Sequence, residues 1–192
     1  MTKDELIDVV NDTFNILRSN SSRSRILFPA YRDNERRVSE QELRFVFVEQ
    51  LQKLLEKYDL FYSVETPTHG KYKFTENRKN IDPRVDKNGQ SANFDLTIVD
   101  KNGNTIAIIE FKAKMATQHE YDKDFCKLFN PKESSSYRLF INLFEKIETE
   151  TKSKFLEKIE RCKSHYKNSS NIDVIVMAQS LREGDSFINE IY

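Results

Sequence analysis

Asp95, Glu110 and Lys112 are the residues of this sequence whose types and spacing could do chemistry together. Glu110 and Lys112 interrupt the largely apolar run TIAIIEFKAK, residues 105–114, which is typical of a buried strand. Because side chains alternate along a strand, both charged groups project from one face, opposite Ile109 and Phe111. A buried charge is unfavourable unless it is paired or bound to a metal. Glu110 and Lys112 could simply neutralise each other, so this pair alone predicts no activity.

Asp95 brings a second carboxyl group to the same place. It lies in NFDLTIVD, residues 93–100, and Asn102-Gly103 between the two runs is a strong hairpin signal. A hairpin about that turn pairs residues whose numbers add up to about 205, which places Asp95 close to Glu110. Two carboxylates in an apolar sheet repel each other and raise their pKa, and a divalent cation between them relieves that repulsion. Mg²⁺ suits such a site, since it binds few carboxylates and completes its shell with water and phosphate oxygens.

This arrangement, an acid followed by strand, turn, strand and Glu110-Phe111-Lys112, resembles the PD-(D/E)XK phosphodiesterase superfamily. The resemblance covers residues 39–144, about half of the chain, with Phe94 where the family usually has proline. It implies a restriction-endonuclease-like core and a deoxyribonuclease-like phosphodiesterase that depends on Mg²⁺ or Mn²⁺. It also implies that Asp95, Glu110 and the backbone carbonyl of Phe111 hold the metal. Lys112 would position the attacking water and help to deprotonate it.

The family often adds a glutamate from the first core helix, and Glu40 is the natural match in this sequence. The run VSEQELRFVFVEQLQKLLEKY predicts a long helix in which Ser39 is the N-cap and Glu42 completes a capping box. Glu40 falls on the main apolar stripe of that helix, which consists of Phe47, Leu51, Leu54, Leu55 and Tyr58. Glu40 would support the metal shell or a second ion. The alternative is an acid that the helix dipole favours in the first turn.

Basic residues in three places could contact the phosphates of DNA: Arg36, Arg37, Lys71, Lys73, Arg78 and Lys114. The first two lie in an arginine-rich segment before the long helix, the next three lie within residues 69–90, and the last follows Lys112 on the same strand face. The formal net charge is zero, so the composition gives no global support for nucleic-acid binding. The alternative is that these residues form ordinary solvated surface.

The hydrophobic pattern predicts an α/β fold, with a mixed β-sheet and helices on both of its faces. The expected order is helix, helix, strand, hairpin, helix, strand, helix and strand, in a single nuclease-like domain over residues 1–192. Residues 1–38 would supply an N-terminal helix and a basic irregular segment, and residues 39–180 the core. A short strand is expected to stop at Pro67. A long polar loop is expected over residues 69–90, with room for a hairpin around GKYKFTEN.

Several other classes of protein are disfavoured. Two cysteines and three histidines lie at no metal-ligand spacing, which argues against a zinc site. The sequence has no glycine-rich phosphate loop and no nucleophile elbow. No apolar stretch approaches the ~20 residues that cross a bilayer, and the N-terminus does not resemble a signal peptide. We therefore expect a soluble cytoplasmic protein.

Two alternatives to a nuclease stay open on the sequence alone. The chain could be a catalytically inactive nuclease-fold protein that acts as a nucleic-acid-binding or protein-interaction module. Alternatively, Asp95, Glu110 and Lys112 could be purely structural ions on an unrelated α/β fold. DNA is the expected partner, and the sequence is also compatible with a homodimer or a protein partner.

Overall fold

The computed structural model describes residues 1–19, 26, 38–167, 171–182, 185 and 188–192. In chain order the elements are α1 (Lys3–Ser19), α2 (Glu40–Tyr58), β1 (Leu60–Glu76), β2 (Lys79–Val85), β3 (Gln90–Asp100), β4 (Thr105–Ala113), α3 (Gln118–Leu128), β5 (Tyr137–Phe144), α4 (Thr149–Tyr166), β6 (Ile175–Ser180) and β7 (Ile188–Ile191). The strands form one mixed sheet in the order β2-β1-β3-β4-β5-β6-β7. β4, β5 and β6 are parallel, and the other neighbours are antiparallel. The α/β class that the sequence predicts is confirmed.

The first two helices cover one face of the sheet. α2 begins at Glu40 because the Ser39 hydroxyl accepts the backbone N–H of Glu42, at 3.4 Å. It ends where Asp59 takes a left-handed backbone with φ 51°. The buried side chains of α1 and α2 pack in one core with Ile109 and Phe111 of β4.

α3 and α4 cover the opposite face. Thr117 and Glu120 form a capping box that starts α3. Phe125 of α3 and Phe155 of α4 belong to a second core, which also contains Ile108 of β4. Ile108 and its neighbour Ile109 thus point into different cores, as strand alternation requires. Helices therefore lie on both faces of the sheet, as expected.

Two expectations for residues 60–90 are wrong. β1 does not stop at Pro67 but continues to Glu76, and it spans 17 residues in all. The segment after it is not a long loop, because the chain turns back at Asn77-Arg78 and β2 pairs with the end of β1. The hairpin considered for this segment is therefore present, and regular strands occupy most of the predicted loop.

A buried carboxylate holds this hairpin against the rest of the fold. Glu133, in the segment between α3 and β5, is 2% exposed. It accepts the backbone N–H groups of His69, at 3.0 Å, and Gly70, at 2.7 Å, and the hydroxyl of Tyr72, at 2.7 Å. Three donors satisfy this carboxylate, so its burial fixes the hairpin at little cost.

Along its first half, β1 has no strand on its outer side in the part of the chain that the structure describes. β2 pairs with β1 only from Tyr72 onwards. Among the described residues no strand pairs with the outer side of residues 60–67. Phe61, Tyr62 and Val64 are exposed in that stretch.

Arg36 and Arg37, two of the expected DNA contacts, lie outside the described residues. At the other end of the chain, Ile188–Ile191 form β7, an edge strand that the sequence left unassigned. None of the helices in the described ranges is long and apolar enough to span a bilayer.

Candidate active site

β3 and β4 pair in the expected register, and this pairing ends just before Asp95. Leu96 pairs with Ile109, and Asp95 and Glu110 are the next residues beyond that pair. The Asp95 carboxylate accepts the backbone N–H of Phe111, with Oδ2 at 2.7 Å from the nitrogen. An acidic side chain, rather than a backbone carbonyl of β3, therefore satisfies this N–H of β4. The carboxylate lies between the two strands.

Glu110 and Lys112 point towards α3, and each pairs with a residue of that helix. Glu110 is 1% exposed, and its carboxylate forms an ion pair with the Lys127 ammonium group. Lys112 Nζ lies 2.8 Å from Asp124 Oδ2 and donates to the carbonyl of Phe111 at 3.1 Å. Glu110 and Lys112 therefore do not simply neutralise each other, because each forms its ion pair with α3.

Lys127 joins the parts of the cluster. Its Nζ lies 3.3 Å from Asp124 Oδ1, donates to the carbonyl of Asn93 at 2.8 Å, and lies over the ring of Phe94 at 5.6 Å from its centroid. With the Glu110 contact this gives the ammonium group partners from β3, β4 and α3. Lys127 thus neutralises charge at the centre of the site.

Glu40, at the start of α2, lies close enough to the cluster for its charges to act on it. Its carboxylate is half-buried, and the nearby backbone of Ala113, at the end of β4, favours its charged form. Burial raises the pKa of Glu40. The negative charges of Asp95 and Asp124 raise it further, and the positive charge of Lys112 opposes them. These mutual effects place Glu40 within the electrostatic reach of the other acids.

The charges of the cluster shift the pKa of its members strongly. Burial raises the pKa of Glu110 well above its ordinary value, against the opposing charge of Lys127. Burial alone would lower the pKa of Lys112, but the carboxylates of Asp124 and Glu110 outweigh it and the pKa is raised. Burial likewise opposes the charge of Lys127, and Glu110 and Asp124 raise its pKa. Both lysines are therefore ammonium groups at neutral pH.

The donor set fits a hard divalent cation in its charge and chemistry. Four carboxyl groups, Asp95, Glu110, Asp124 and Glu40, face two ammonium groups, which gives a formal charge of −2 when all four are ionised. The buried oxygens Glu110 Oε1 and Asp124 Oδ2 have lysine ion pairs but no aligned hydrogen-bond donor within the described part of the chain. In that part no group of three or more His, Cys, Asp or Glu side chains is placed to hold a metal ion. Mg²⁺ needs only one or two carboxylates, with water and phosphate oxygens as further ligands.

Sequence reasoning missed Asp124 and Lys127. Both are charged residues on the buried side of α3, at 4% and 6% exposure. Asp124 follows the buried Tyr121 by three positions, and Lys127 follows Asp124 by three, which is the spacing of one helix face. The sequence signal that could have identified them is a pair of charged residues at core positions of an amphipathic helix.

The expected DNA contacts that the structure describes lie on the hairpin of β1 and β2 and just after β4. Lys71 and Lys73 lie on β1 beside β2, and Lys73 forms an ion pair with Glu76. Arg78 occupies the turn between these strands with φ 63°. Lys114 lies beyond the end of β4 with φ 65°, so the alternation that would place it in line with Lys112 has ended.

In the described part of the chain, the fold and the site define an α/β protein whose seven-stranded mixed sheet carries a partly buried cluster of four acids and two lysines. Comparison of the chain with protein-family models, with curated proteins and with solved structures gave no match.

Proposed function

We propose that the chain is a divalent-metal-dependent nuclease with a restriction-endonuclease-like core, which hydrolyses phosphodiester bonds of DNA. One observation carries the proposal: Asp95, Glu110, Lys112 and Glu40 come from three different elements and meet in one cluster. Like charges repel, so several acids that lie together and are partly buried are unfavourable for the fold. Chance pairing of surface ions does not explain such a cluster.

In this proposal Asp95, Glu110 and the backbone carbonyl of Phe111 hold Mg²⁺ or Mn²⁺. When bound, the metal supplies a Lewis acid for the phosphate and lowers the pKa of a bound water. The carboxylate of Glu110 now faces Lys127, so a cation at Glu110 either shares this carboxylate with Lys127 or takes its place.

In this proposal Lys112 has a narrower role than the resemblance implies. Because its pKa is raised, it is an ammonium group and cannot accept a proton from water. It can donate a hydrogen bond that orients the water or stabilises negative charge on the phosphate. Glu40, whose pKa is raised by burial, is better suited to receive the proton.

The proposal is tested by incubating the protein with plasmid and single-stranded DNA in Mg²⁺ and in Mn²⁺. Cleavage is expected in the wild type and is expected to fall by about 10²-fold or more in Asp95→Asn, Glu110→Gln and Lys112→Met. Glu157→Gln, an exposed acid on α4, is the matched control and should cleave as the wild type does. Cleavage that survives equally in Glu110→Gln and Lys112→Met rejects this active site.

A second candidate is an inactive nuclease-fold protein that binds nucleic acid or another protein. The contact between Glu110 and Lys127 favours it, since the buried carboxylate already has a resident cation. Calorimetry with Mn²⁺ separates the two candidates. Heat of binding that disappears in Asp95→Asn supports the nuclease, and no binding at these acids supports the inactive module.

The proposal includes DNA as the partner and a cytoplasmic setting. The exposed basic residues of the hairpin, Lys71 and Arg78 among them, would contact backbone phosphates. Cys126 and Cys162 are both buried free thiols, which suits a reducing compartment.

A further inference from the structure

β3, which contains Asp95, and its neighbour β1 change faces at the same level of the sheet. Leu96 belongs to the core under α1 and α2, whereas Phe94, two residues earlier, belongs to the core under α3 and α4. Regular alternation would place both on one face. In β1, the Thr66 hydroxyl lies 2.8 Å from that of Thr97, a residue aligned with Ile108 of the α3 side. Thr66 pairs with Phe94, so both strands have turned together.

The backbone of Glu65 makes this turn possible. Glu65 and Asp95 are the residues between the pairs Val64–Leu96 and Thr66–Phe94. The two pairs keep the same offset, so no residue is inserted at this point. Instead Glu65 has φ 50°, in the left-handed region that a residue with a Cβ atom adopts only at a cost. Such strain persists where surrounding contacts impose it, and often at functional sites.

α2 holds this strained residue in place. Arg44 Nη1 lies 3.0 Å from Glu65 Oε1, as both hydrogen bond and ion pair. Arg44 is one helical turn after Glu40, so the same helix supplies an acid of the cluster and the contact to the strained strand. The side chain of Glu65 is 58% exposed, which leaves its backbone as the feature that the fold requires.

We propose that the left-handed backbone of Glu65 positions Asp95. It turns β1 and β3 together, and the carboxylate of Asp95 then faces the gap between β3 and β4, where it accepts the N–H of Phe111. The part of this inference that concerns metal binding rests on the proposed function. Glu65 is a positioning residue, since it acts on the site through Asp95.

The experiment compares Glu65→Gly with Glu65→Ala in the full chain. Both variants lack the carboxylate, but only glycine adopts a left-handed backbone freely. The readout is hydrogen exchange of the Phe111 amide by NMR, which reports the Asp95 contact and does not depend on activity. We expect exchange about tenfold faster in Glu65→Ala than in Glu65→Gly. Glu65→Asn, which tolerates the left-handed region, should resemble glycine.

Tyr62→Ala is the matched control, an exposed residue of the same strand without a left-handed backbone, and should leave the Phe111 amide unchanged. Mn²⁺ titration of the same proteins should show weaker binding in Glu65→Ala than in Glu65→Gly, by a similar factor. Equal Phe111 exchange in the alanine and glycine variants overturns the positioning role. Equal and large losses in glycine, asparagine and alanine also overturn it, because they assign the effect to the carboxylate and Arg44. The expected exchange pattern without Mn²⁺ binding in the wild type supports the positioning role and rejects the metal site.

Discussion

Lys127 and Glu110 form the most buried ion pair of the site, and each depends on the other. Glu110 is 1% exposed, and the side chain of Lys127 is 7% exposed. Removing one member of a buried pair leaves the other charge without a partner in a medium that solvates it poorly. The fold therefore depends on this pair for stability, and the pair is also a candidate functional feature.

At the scale of this residue, Lys127→Met is expected to lower the free energy of unfolding by about 3–5 kcal/mol, because Glu110 stays buried without its cation. The double variant Lys127→Met/Glu110→Gln should regain part of that loss. Urea unfolding at neutral pH measures both. Lys154→Met, an exposed lysine of α4, is the control and should change little. A loss in Lys127→Met no larger than in this control contradicts the account of the pair.

The two halves of the site differ in how far the sequence predicts them. Asp95 and Glu110 could be placed together because Asn102-Gly103 fixes the hairpin and hence the register. Asp124 and Lys127 could not, since their contact with β4 depends on how α3 crosses the sheet. The alternative in which Glu110 and Lys112 neutralise only each other leaves out these α3 partners for the same reason, because it considers only neighbours along the strand.

At the scale of elements, Glu5 ties α1 to the end of α2. Its carboxylate accepts hydrogen bonds from Lys57 Nζ at 2.7 Å and from the Tyr58 hydroxyl at 2.9 Å. The bond from Lys57, followed by the backbone bond from Thr2, lowers the pKa of Glu5 from 4.5 to about 2. The charged carboxylate is thus the form that holds the two helices together.

This lowered pKa predicts an acid-sensitive contribution to stability. Between pH 4.5 and about 2 the unfolded chain binds a proton at Glu5 before the folded one does, so stability falls as the pH drops through this window. Glu5→Gln should be less stable than the wild type at neutral pH, and the difference should disappear near pH 2. Thermal unfolding across this range measures it, with Asp8→Asn, an exposed acid of α1, as control. A difference that persists unchanged at pH 2 contradicts this role.

β1 shows why proline and glycine residues misled the prediction of strand ends. Pro67 is tolerated within the strand because the outer side of residues 60–67 has no strand partner in the described part of the chain. Gly70 reads as a loop residue, but a Cβ there would come within 2.5 Å of Asn130 Nδ2 and 2.9 Å of Glu133 Oε1. The glycine therefore serves a contact with the segment after α3, which no local pattern reveals.

At the scale of the whole molecule, the zero net charge means that any hold on DNA depends on local clusters of basic residues. Lys71→Gln is expected to weaken DNA binding equally on unrelated sequences and to reduce the salt slope of the binding constant by about one. Fluorescence anisotropy at several salt concentrations measures this. Lys101→Gln, in the turn between β3 and β4, is the control. Equal slopes for Lys71→Gln and the wild type exclude the hairpin as a phosphate contact.

The class of the molecule follows from the sequence better than its arrangement does. β4, β5 and β6 are buried on both faces and so read as continuous apolar runs, which predicts central strands between layers of helices. Their order in the sheet and the position of β7 depend on helix crossovers and long-range pairing, which leave no periodic signal in the chain.

The bare flank of β1 has a consequence for handling the protein at high concentration. Backbone N–H and C=O groups that have no strand partner within the described ranges, beside exposed Phe61, Tyr62 and Val64, form a template on which a foreign strand can add, and such templates promote aggregation. A lysine in place of Val64 would introduce the charge with which natural edge strands discourage such growth, and it should extend the concentration range over which the purified protein stays monodisperse.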